Sequence, residues 1–437
     1  QLSYFDHPAL LNAIQSNVVK IFGSSAFSIR ITSFLMFCGI AYVFWLIANE
    51  VFGTKVANAV GVLVHFIPIW GIAGYSTVPD SPFALVWLTT AFVFIKLVRS
   101  ENINDQAKYW ILLGFSFGIG INAKFIILSL APGMLLYILL DAKLRKHLLT
   151  KWPWIAGLIV ILFCIPVIIW NMENGWPSFK YQFYRRHTGG GGFSFTRWLS
   201  YFGYQWIFVS PGFFFVLLMA TLRGLLDFSD WRNRILICLA MASVLVFWYQ
   251  PFYAEFKPHW AGPAYMFLFI LAIHHWYKGV QFGKLKIFRP QSSLVKTISI
   301  FFLILINLAV YIPLFYPLGY KVHQVLTPQI PWQPKWDFSN EFYGWEEASK
   351  KVLEMQKEIF LATNQEPIIA ANRYELVGRL TFYTQSTVWK LSHDVDMYTF
   401  FQPKSDLQKL VGRNVLFVSN DKYPAEPTNY ILSGPCN

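Results

Sequence analysis

The sequence predicts a polytopic α-helical membrane protein with about ten spans and a small C-terminal α/β soluble domain. Of its 437 residues, 55% are hydrophobic and only 14% are charged, whereas the 42 Phe, 22 Tyr and 18 Trp argue against disordered and collagen-like chains. Soluble domains carry about 25% charged residues, which argues against a soluble globular protein. Ten runs approach the ~20 mostly apolar residues of a spanning helix. Beyond residue 318 charged residues become frequent, which predicts the separate C-terminal domain.

The ten apolar runs define the expected helices of the membrane domain. Their interiors contain almost no charged residues, and Lys96 lies at the edge of one run. The fourth and fifth runs are separated only by residues 122–124, so they form either two thin or tilted helices or one kinked pair. The runs cover residues 31–49, 57–75, 83–98, 109–123, 125–140, 153–171, 199–222, 235–250, 260–277 and 297–317.

Basic residues divide the loops into two alternating sets. One set holds sixteen Lys and Arg residues and is expected to be cytoplasmic, because basic residues gather on that side of a membrane. With an even number of spans, both chain ends lie on the outer side, which in a bacterium is the periplasm. The net charge of +13 therefore reports orientation and does not indicate a nucleic-acid partner. The sixteen residues are Lys55, Lys96, Arg99, Lys108, Lys143, Arg145, Lys146, Lys151, Arg223, Arg232, Arg234, Lys278, Lys284, Lys286, Arg289 and Lys296.

The two expected domains are residues 1–318 in the membrane and residues 319–437 on the periplasmic side. Within the second, helical periodicity covers residues 345–362 and 374–383, and short buried strands are predicted at 367–372 and 414–419. This pattern fits a compact α/β domain of about 110 residues.

Unusual polar residues lie on the outer side of this topology, at the membrane boundary. Acids and bases that converge there suit a reaction between a lipid-borne reactant and a second molecule outside. The candidates are Asp6 and His7 before Pro8, Asp80 between Pro79 and Pro82, Lys124 at the end of a short hairpin, Arg185 and Arg186 before a glycine run, and Glu255, Lys257 and His259 in one loop.

The two acidic candidates also have a purely structural interpretation. Asp80 can cap a helix that starts near Pro82, and Asp6 can cap a helix whose first turn contains Pro8. Asp is a favoured N-cap residue and Pro a favoured first-turn residue. Capping and a functional role can coexist at either position.

The basic candidates have alternatives of their own. Lys124 can be a snorkelling lysine, although the charge rule places it on the outer side. The pair Arg185–Arg186 can contact lipid headgroups. The run Gly189–Gly192 lacks the features of a phosphate-binding loop and is expected to be a mobile outer loop. His65 and the pair His274–His275 are expected to be packing or interfacial residues.

No metal or disulfide framework is predicted. Cys38, Cys164 and Cys238 lie in apolar runs, Cys436 lies in the tail, and the sequence has no CxxC or metal-ligand spacing. Two carboxylates can hold a divalent cation, but no dense carboxylate cluster demands one.

A carboxylate beside cationic groups at a membrane boundary suits glycosyl transfer from a lipid phosphate. Lys or Arg stabilises the leaving phosphate through charge-assisted hydrogen bonds. A carboxylate can remove the proton of an acceptor hydroxyl as its oxygen attacks the anomeric carbon. Such a donor already carries a good leaving group, so no nucleotide-binding fold is required.

The segments around these residues resemble the GT-C membrane glycosyltransferases, specifically the bacterial branch of the protein O-mannosyltransferase superfamily that includes the lipid A aminoarabinose transferase. Each segment is short, but they follow one another in the expected order over most of the chain. The segments are Tyr4–Pro8, Pro79–Pro82, Asn122–Phe125, Asn171–Arg186 with Trp176–Phe179, Lys257–Trp260 and Asn372–Glu375.

The resemblance implies a GT-C fold and a polyprenyl-phosphate sugar as donor. Asp80 matches the second acidic position of the family pattern, and Lys124 and Lys257 match positions expected to face the donor phosphate. The family also carries an Asp-Glu pair just after its first transmembrane helix, and no such pair precedes Tyr4. That helix and that pair are expected upstream of Gln1; without them, Asp6 would have to substitute.

The resulting hypothesis is an inverting glycosyltransferase of the bacterial inner membrane that transfers a sugar from undecaprenyl phosphate to lipid A, another envelope glycan or a protein. Asp80 and Asp6 are the expected catalytic residues. The expected phosphate- or substrate-binding residues are His7, Lys124, Arg185, Arg186, Glu255, Lys257 and His259.

Two alternative functions remain at this point. A secondary transporter or lipid flippase would place ionisable residues near the bilayer midplane, often within inverted repeats. The nearly charge-free runs and the lack of an evident repeat argue against that class. The other alternative is a catalytically incomplete fragment that only binds a polyprenyl lipid.

Overall fold

The computed structural model divides into two compact units, Gln1–Asn307 and Leu308–Asn437. The structure describes residues 3, 5–67, 70, 71, 74, 77–185, 192–209, 211–278, 280–282, 285–288, 301, 304, 305, 308, 312, 316, 318–333, 344–392, 395–402, 404–420, 424 and 425.

The described residues of the first unit are mainly helical, and they include one short hairpin. Its α-helices are Leu10–Phe22, Ala26–Phe52, Thr54–Leu63, Asp80–Arg99, Ile103–Ala123, Leu130–Leu140, Ala142–Arg145, Trp152–Glu173, Pro177–Phe179, Phe195–Val209, Pro211–Leu226, Trp231–Tyr249 and Gly262–Lys278. Short 3₁₀ segments lie at Val64–Phe66, Phe125–Ser129, Lys146–Leu149, Gln250–Phe252 and Pro258–Ala261, and Lys180–Arg185 is a π-helical turn. The hairpin pairs Val280–Phe282 with Leu285–Phe288 in antiparallel register.

Four described helices are long and apolar enough to cross a membrane, as a polytopic membrane protein requires. A pair of segments, 125–140 and 142–149, bent by 101°, would make a fifth span. The spanning helices are Ala26–Phe52, Asp80–Arg99, Trp152–Glu173 and Trp231–Phe252. The predicted run 297–317 lies largely outside the described residues, and the number of ten spans stays a prediction.

One predicted run contains two helices, and the alternative left open for two other runs is decided. The run 199–222 divides between the helix Phe195–Val209 and a helix that begins at Pro211, because proline is favoured in the first turn of a helix and disrupts a helix interior. The fourth and fifth runs are separate elements: the helix Ile103–Ala123 ends at Lys124, whose backbone is extended, and a 3₁₀ segment follows.

Glycine at residue 133 permits a close contact between two helices of the first unit. Gly133, in the helix Leu130–Leu140, faces the backbone of the helix Trp231–Tyr249, and a Cβ at Gly133 would overlap the carbonyl oxygen of Cys238. A backbone atom cannot move aside as a flexible side chain can. The two helices can therefore approach only while residue 133 has no side chain.

Gly133→Ala is expected to destabilise the protein by about 2 kcal/mol, because overpacking a filled interior typically costs 1–3 kcal/mol. The control is Gly157→Ala, which places its Cβ in open space within the helix Trp152–Glu173. Thermal unfolding in detergent should show a lower midpoint for Gly133→Ala and a wild-type midpoint for Gly157→Ala. Equal midpoints for the two variants would contradict the close-packing argument.

The second unit contains a three-stranded parallel sheet. Its strands are Ile368–Ala371, Val388–Lys390 and Val415–Val418, and the first of them lies between the other two. Its helices are Leu318–Leu326, Trp345–Thr363, Tyr374–Thr384, Tyr398–Phe401 and Lys404–Gln408.

The elements predicted for this unit coincide with those observed, to within one or two residues at each end. The expected helices at 345–362 and 374–383 are Trp345–Thr363 and Tyr374–Thr384, and the strands at 367–372 and 414–419 are also present. The edge strand Val388–Lys390 was not predicted, because three residues are too few for an alternating pattern to be detected.

Candidate active site

A buried ion pair joins the ends of two neighbouring helices. The chain enters one helix at Asp80 and leaves the next at Ala123, so packing these helices against each other brings Asp80 beside Lys124. Lys124 Nζ lies 2.7 Å from Asp80 Oδ1. The Lys124 side chain is only 4% exposed, whereas that of Asp80 is 29% exposed. The carboxylate is thus accessible, and the buried ammonium group behind it holds it in place.

This geometry overturns the structural alternatives for three of the candidates. Asp80 is not an N-cap, because the helix begins at Asp80 itself, Pro79 occupies the cap position and no side-chain cap bond forms. Asp6 is not an N-cap either, since the first helix begins at Leu10 after Ala9. Lys124 does not snorkel, because its charged end is buried against Asp80.

The turn that carries Asp6 and His7 is fixed at several points. A bridge between Ser3 and Pro8 closes the turn, and His7 Nε2 lies 3.7 Å from Asp6 Oδ2. Gln182 Nε2 donates a hydrogen bond of 2.7 Å to the backbone carbonyl of Asp6. The turn therefore docks on the π-helical turn Lys180–Arg185.

His259 approaches Asp80 from another part of the chain. The 3₁₀ segment Pro258–Ala261 places His259 Nε2 3.9 Å from Asp80 Oδ1. Gln205 Nε2 donates a hydrogen bond of 2.8 Å to the backbone carbonyl of Pro258 and holds this segment. The His259 side chain is 42% exposed, so it is open to a ligand.

Asp80 is the centre of the site. Lys124, His259 and His7 all stabilise its negative charge, although they lie far apart in the sequence. With Asp6 beside His7, the structure brings together five of the nine candidates. The arrangement can bind an anionic group on the two histidines and can accept a proton on a carboxylate.

Four candidates are not joined to this cluster by described contacts. Glu255 and Lys257 are exposed in the loop before His259, and their side chains form no ion pair with other residues that the structure describes. Arg185 ends the π-helical turn, and Arg186 lies outside the described residues, as do Gly189, Gly190 and Gly191.

Three residues that hold the site together were not among the predicted site residues, although two of them, Asn171 and Gln182, lie in the segment Asn171–Arg186 that carries the resemblance. Gln182 and Gln205 bind the two loops described above, and Asn171 closes the reversal that precedes Gln182. The Asn171 side-chain oxygen accepts a bond of 3.0 Å from the Ser178 backbone N–H, and its backbone carbonyl accepts one of 2.7 Å from Trp176. A lone amide within an apolar run was the only sequence signal for Gln205.

The histidines expected to serve packing do so. The His65 ring packs edge-on against Phe37, and the His274 ring stacks on Phe52 with centroids 3.7 Å apart. In the part of the chain that the structure describes, no group of three or more His, Cys, Asp or Glu side chains is arranged to hold a metal ion.

Sequence comparison finds a family match and two curated relatives. The dolichyl-phosphate-mannose-protein mannosyltransferase family matches residues 6–170. The lipid A galacturonosyltransferase RgtD of Rhizobium johnstonii is 24% identical over 64% of this chain and 59% of that protein. The undecaprenyl phosphate-α-4-amino-4-deoxy-L-arabinose arabinosyl transferase of Wigglesworthia glossinidia brevipalpis is 28% identical over 31% of this chain and 25% of that protein. The chain thus spans less than two thirds of either relative.

The fold is similar to a solved structure. ArnT from Cupriavidus metallidurans, crystallised bound to undecaprenyl phosphate, matches with a TM-score of 0.64 and 15% identity, over 95% of this chain and 80% of that one. Together with the family match, this confirms the resemblance to the GT-C membrane glycosyltransferases that the short segments predicted.

Proposed function

We propose that this membrane protein is a glycosyltransferase that moves a sugar from a polyprenyl-phosphate donor to lipid A or another acceptor of the cell envelope. The observation that carries the proposal is the accessible Asp80 carboxylate with Lys124, His7 and His259 around it. One relative is a lipid A galacturonosyltransferase and the other transfers arabinose from an undecaprenyl phosphate sugar, which supports a lipid-linked donor and a lipid A acceptor.

The leaving phosphate of the donor binds to the cationic groups of the site. Protonated His7 and His259 stabilise the negative charge that develops on the phosphate oxygen, and the exposed Lys257, two residues before His259 in the chain, adds positive charge to the same loop. Lys124 is already bonded to Asp80 and is nearly inaccessible, so its role is to fix the carboxylate.

The acceptor hydroxyl attacks the anomeric carbon in a single displacement. A bond forms between the acceptor oxygen and that carbon as the bond from the carbon to the phosphate oxygen breaks, which inverts the configuration. Asp80 is engaged by Lys124 at 2.7 Å, whereas Asp6 lies 3.7 Å from His7. We therefore assign the acceptor proton to the Asp6 carboxylate and the ordering of the site to Asp80.

The proposed arrangement in the cell follows from the loop charges. The sixteen basic residues support a bacterial inner-membrane protein whose site faces the periplasm. Ten spans would also place residues 319–437, the expected α/β domain, in the periplasm. Polyprenyl-linked sugars and lipid A are then reached from one face.

Mass spectrometry of envelope molecules tests this function. Lipid A, other envelope glycans and periplasmic proteins are compared between a deletion strain and the same strain carrying the gene. One of these acceptors is expected to gain the mass of a single sugar residue only when the gene is present. Unchanged masses in all three fractions would contradict the proposal. Movement of a lipid-linked sugar across the membrane without a new glycosidic bond would favour the flippase alternative.

A further inference from the structure

Two glutamines make the same bond at equivalent places in the site. Gln182 donates its side-chain N–H to the carbonyl of Asp6, at 2.7 Å, and the next residue is His7. Gln205 donates to the carbonyl of Pro258, at 2.8 Å, and the next residue is His259. Each glutamine therefore forms a hydrogen bond with the carbonyl of the residue immediately before a histidine, and the charge of that histidine acts on Asp80.

We propose that Gln182 and Gln205 are positioning residues that set the two histidines at Asp80. The inference rests on the proposed function and deepens it, because it assigns the placement of the phosphate-binding histidines to these two side chains. A hydrogen bond to the carbonyl fixes the peptide plane that leads into the histidine, and so fixes the direction in which its side chain leaves the backbone.

The environment of Gln205 supports a specific role for its amide. Gln205 is fully buried, and its side-chain oxygen has no hydrogen-bond partner among the described residues. A buried oxygen without a partner is unfavourable, and an apolar side chain of similar size would avoid it. The side-chain NH₂ group of Gln205, which donates to the carbonyl of Pro258, therefore accounts for the presence of an amide at this buried position.

The position of Gln182 supports the same conclusion. It lies on a π-helical turn, a rare element that occurs frequently at functional sites. Tyr181 packs on Phe5 with ring centroids 4.7 Å apart, and Gln182 bonds to Asp6, so two consecutive residues of the turn contact two consecutive residues of the loop. This pairing fixes both the position and the register of the segment that leads to His7.

Gln15 provides a matched control within the same unit. Its side-chain N–H donates to the carbonyl of Ser28, at 3.2 Å, and its oxygen is also buried without a partner among the described residues. The bond joins the first two helices and precedes no histidine. Gln15→Leu should therefore lower stability by about as much as losing either of the other two glutamine bonds, without changing the position of a histidine at the site.

The first test measures transfer by the purified full chain in liposomes, with undecaprenyl phosphate carrying galacturonic acid or 4-amino-4-deoxy-L-arabinose as donor and lipid A as acceptor. Gln182→Leu and Gln205→Leu should each lower kcat roughly tenfold with KM changed less than about twofold, because misplaced groups lose transition-state contacts. In a His259→Ala background, Gln205→Leu should cause no further loss. Gln15→Leu should retain wild-type kcat. A further loss of kcat when Gln205→Leu is added to His259→Ala would overturn the inference.

The second test needs no activity. Histidine ¹⁵N shifts of the full chain in detergent are followed against pH, with His7 and His259 assigned by their own substitutions. Each Gln→Leu change should move the titration midpoint of its neighbouring histidine by at least about 0.3 pH unit, since that midpoint depends on the distance to the nearby carboxylates, which are Asp6 and Asp80 for His7 and Asp80 for His259. Gln15→Leu should move neither.

The two tests separate the two proposals. If both Gln→Leu variants transfer sugar at the wild-type rate and leave the histidine midpoints unmoved, the positioning role is overturned and the proposed function stands. If the midpoints move but the wild-type protein transfers no sugar, the positioning role is upheld and the proposed function is contradicted.

Discussion

Asp80→Asn is expected to lower transfer by roughly three orders of magnitude, because the carboxylate orders the histidines that bind the leaving phosphate, and losing one preorganised transition-state contact already costs about 10²–10³. Asparagine keeps the shape of the side chain but removes the charge that His7, His259 and Lys124 face. It also leaves the Lys124 ammonium, only 4% exposed, without its counter-ion. Breaking a buried pair in this way costs about 3–5 kcal/mol, so stability should fall as well.

The control for this variant is Asp141→Asn, whose carboxylate is 22% exposed and lies 3.8 Å from Arg234. Asp141 follows the helix Leu130–Leu140, at its end opposite to Lys124. Sugar transfer and unfolding in detergent are measured for both variants. Wild-type transfer by Asp80→Asn would remove Asp80 from the mechanism.

Lys124→Met is expected to lower transfer about a hundredfold while costing only about 1 kcal/mol of stability. Methionine fills the buried space of the lysine stem, and the Asp80 carboxylate it leaves behind is 29% exposed and can be solvated. The two partners of this ion pair therefore differ in their effect on folding although they share one bond.

The double variant Asp80→Asn/Lys124→Met separates stability from function. The double variant lacks the buried Lys124 ammonium, so no buried charge is left without a counter-ion. Its thermal unfolding midpoint should therefore recover most of the decrease seen in Asp80→Asn. Its transfer activity should stay at the level of Asp80→Asn, because the carboxylate is still absent. Recovery of activity together with stability would assign the ion pair a purely structural role.

Much of the fold could be predicted from hydrophobicity, charge and periodicity. Long apolar runs predicted the helices Ala26–Phe52 and Trp152–Glu173, and a short continuous apolar run predicted the buried strand Ile368–Ala371. The start of a second helix at Pro211 was missed because a window average does not detect one proline between two apolar segments. The small hairpin and the strand Val388–Lys390 are set by their partners and carry too few residues for a pattern.

The candidate site was predicted in its residue types and less well in its contacts. Topology alone placed Asp80, Lys124 and His259 on one side of the membrane, and the structure joins them within hydrogen-bond or ion-pair distance. The sequence could not distinguish the buried Lys124 from the exposed Lys257, since both are lysines at helix boundaries. Burial is decided by neighbours from distant parts of the chain, and the same holds for Gln205.

The chain reversal between Asn171 and Ser178 limits how this protein can change in length. Gly175 and Trp176 both adopt left-handed backbone conformations, with φ of 76° and 62°, and such a conformation costs a residue with a side chain about 1–2 kcal/mol. Adding or removing one residue after this corner would rotate Gln182 by roughly 100° about its helical axis and carry its amide away from Asp6. Insertions that other loops could accommodate are therefore not tolerated here. Related chains that keep this site should keep the spacing of eleven residues from Asn171 to Gln182.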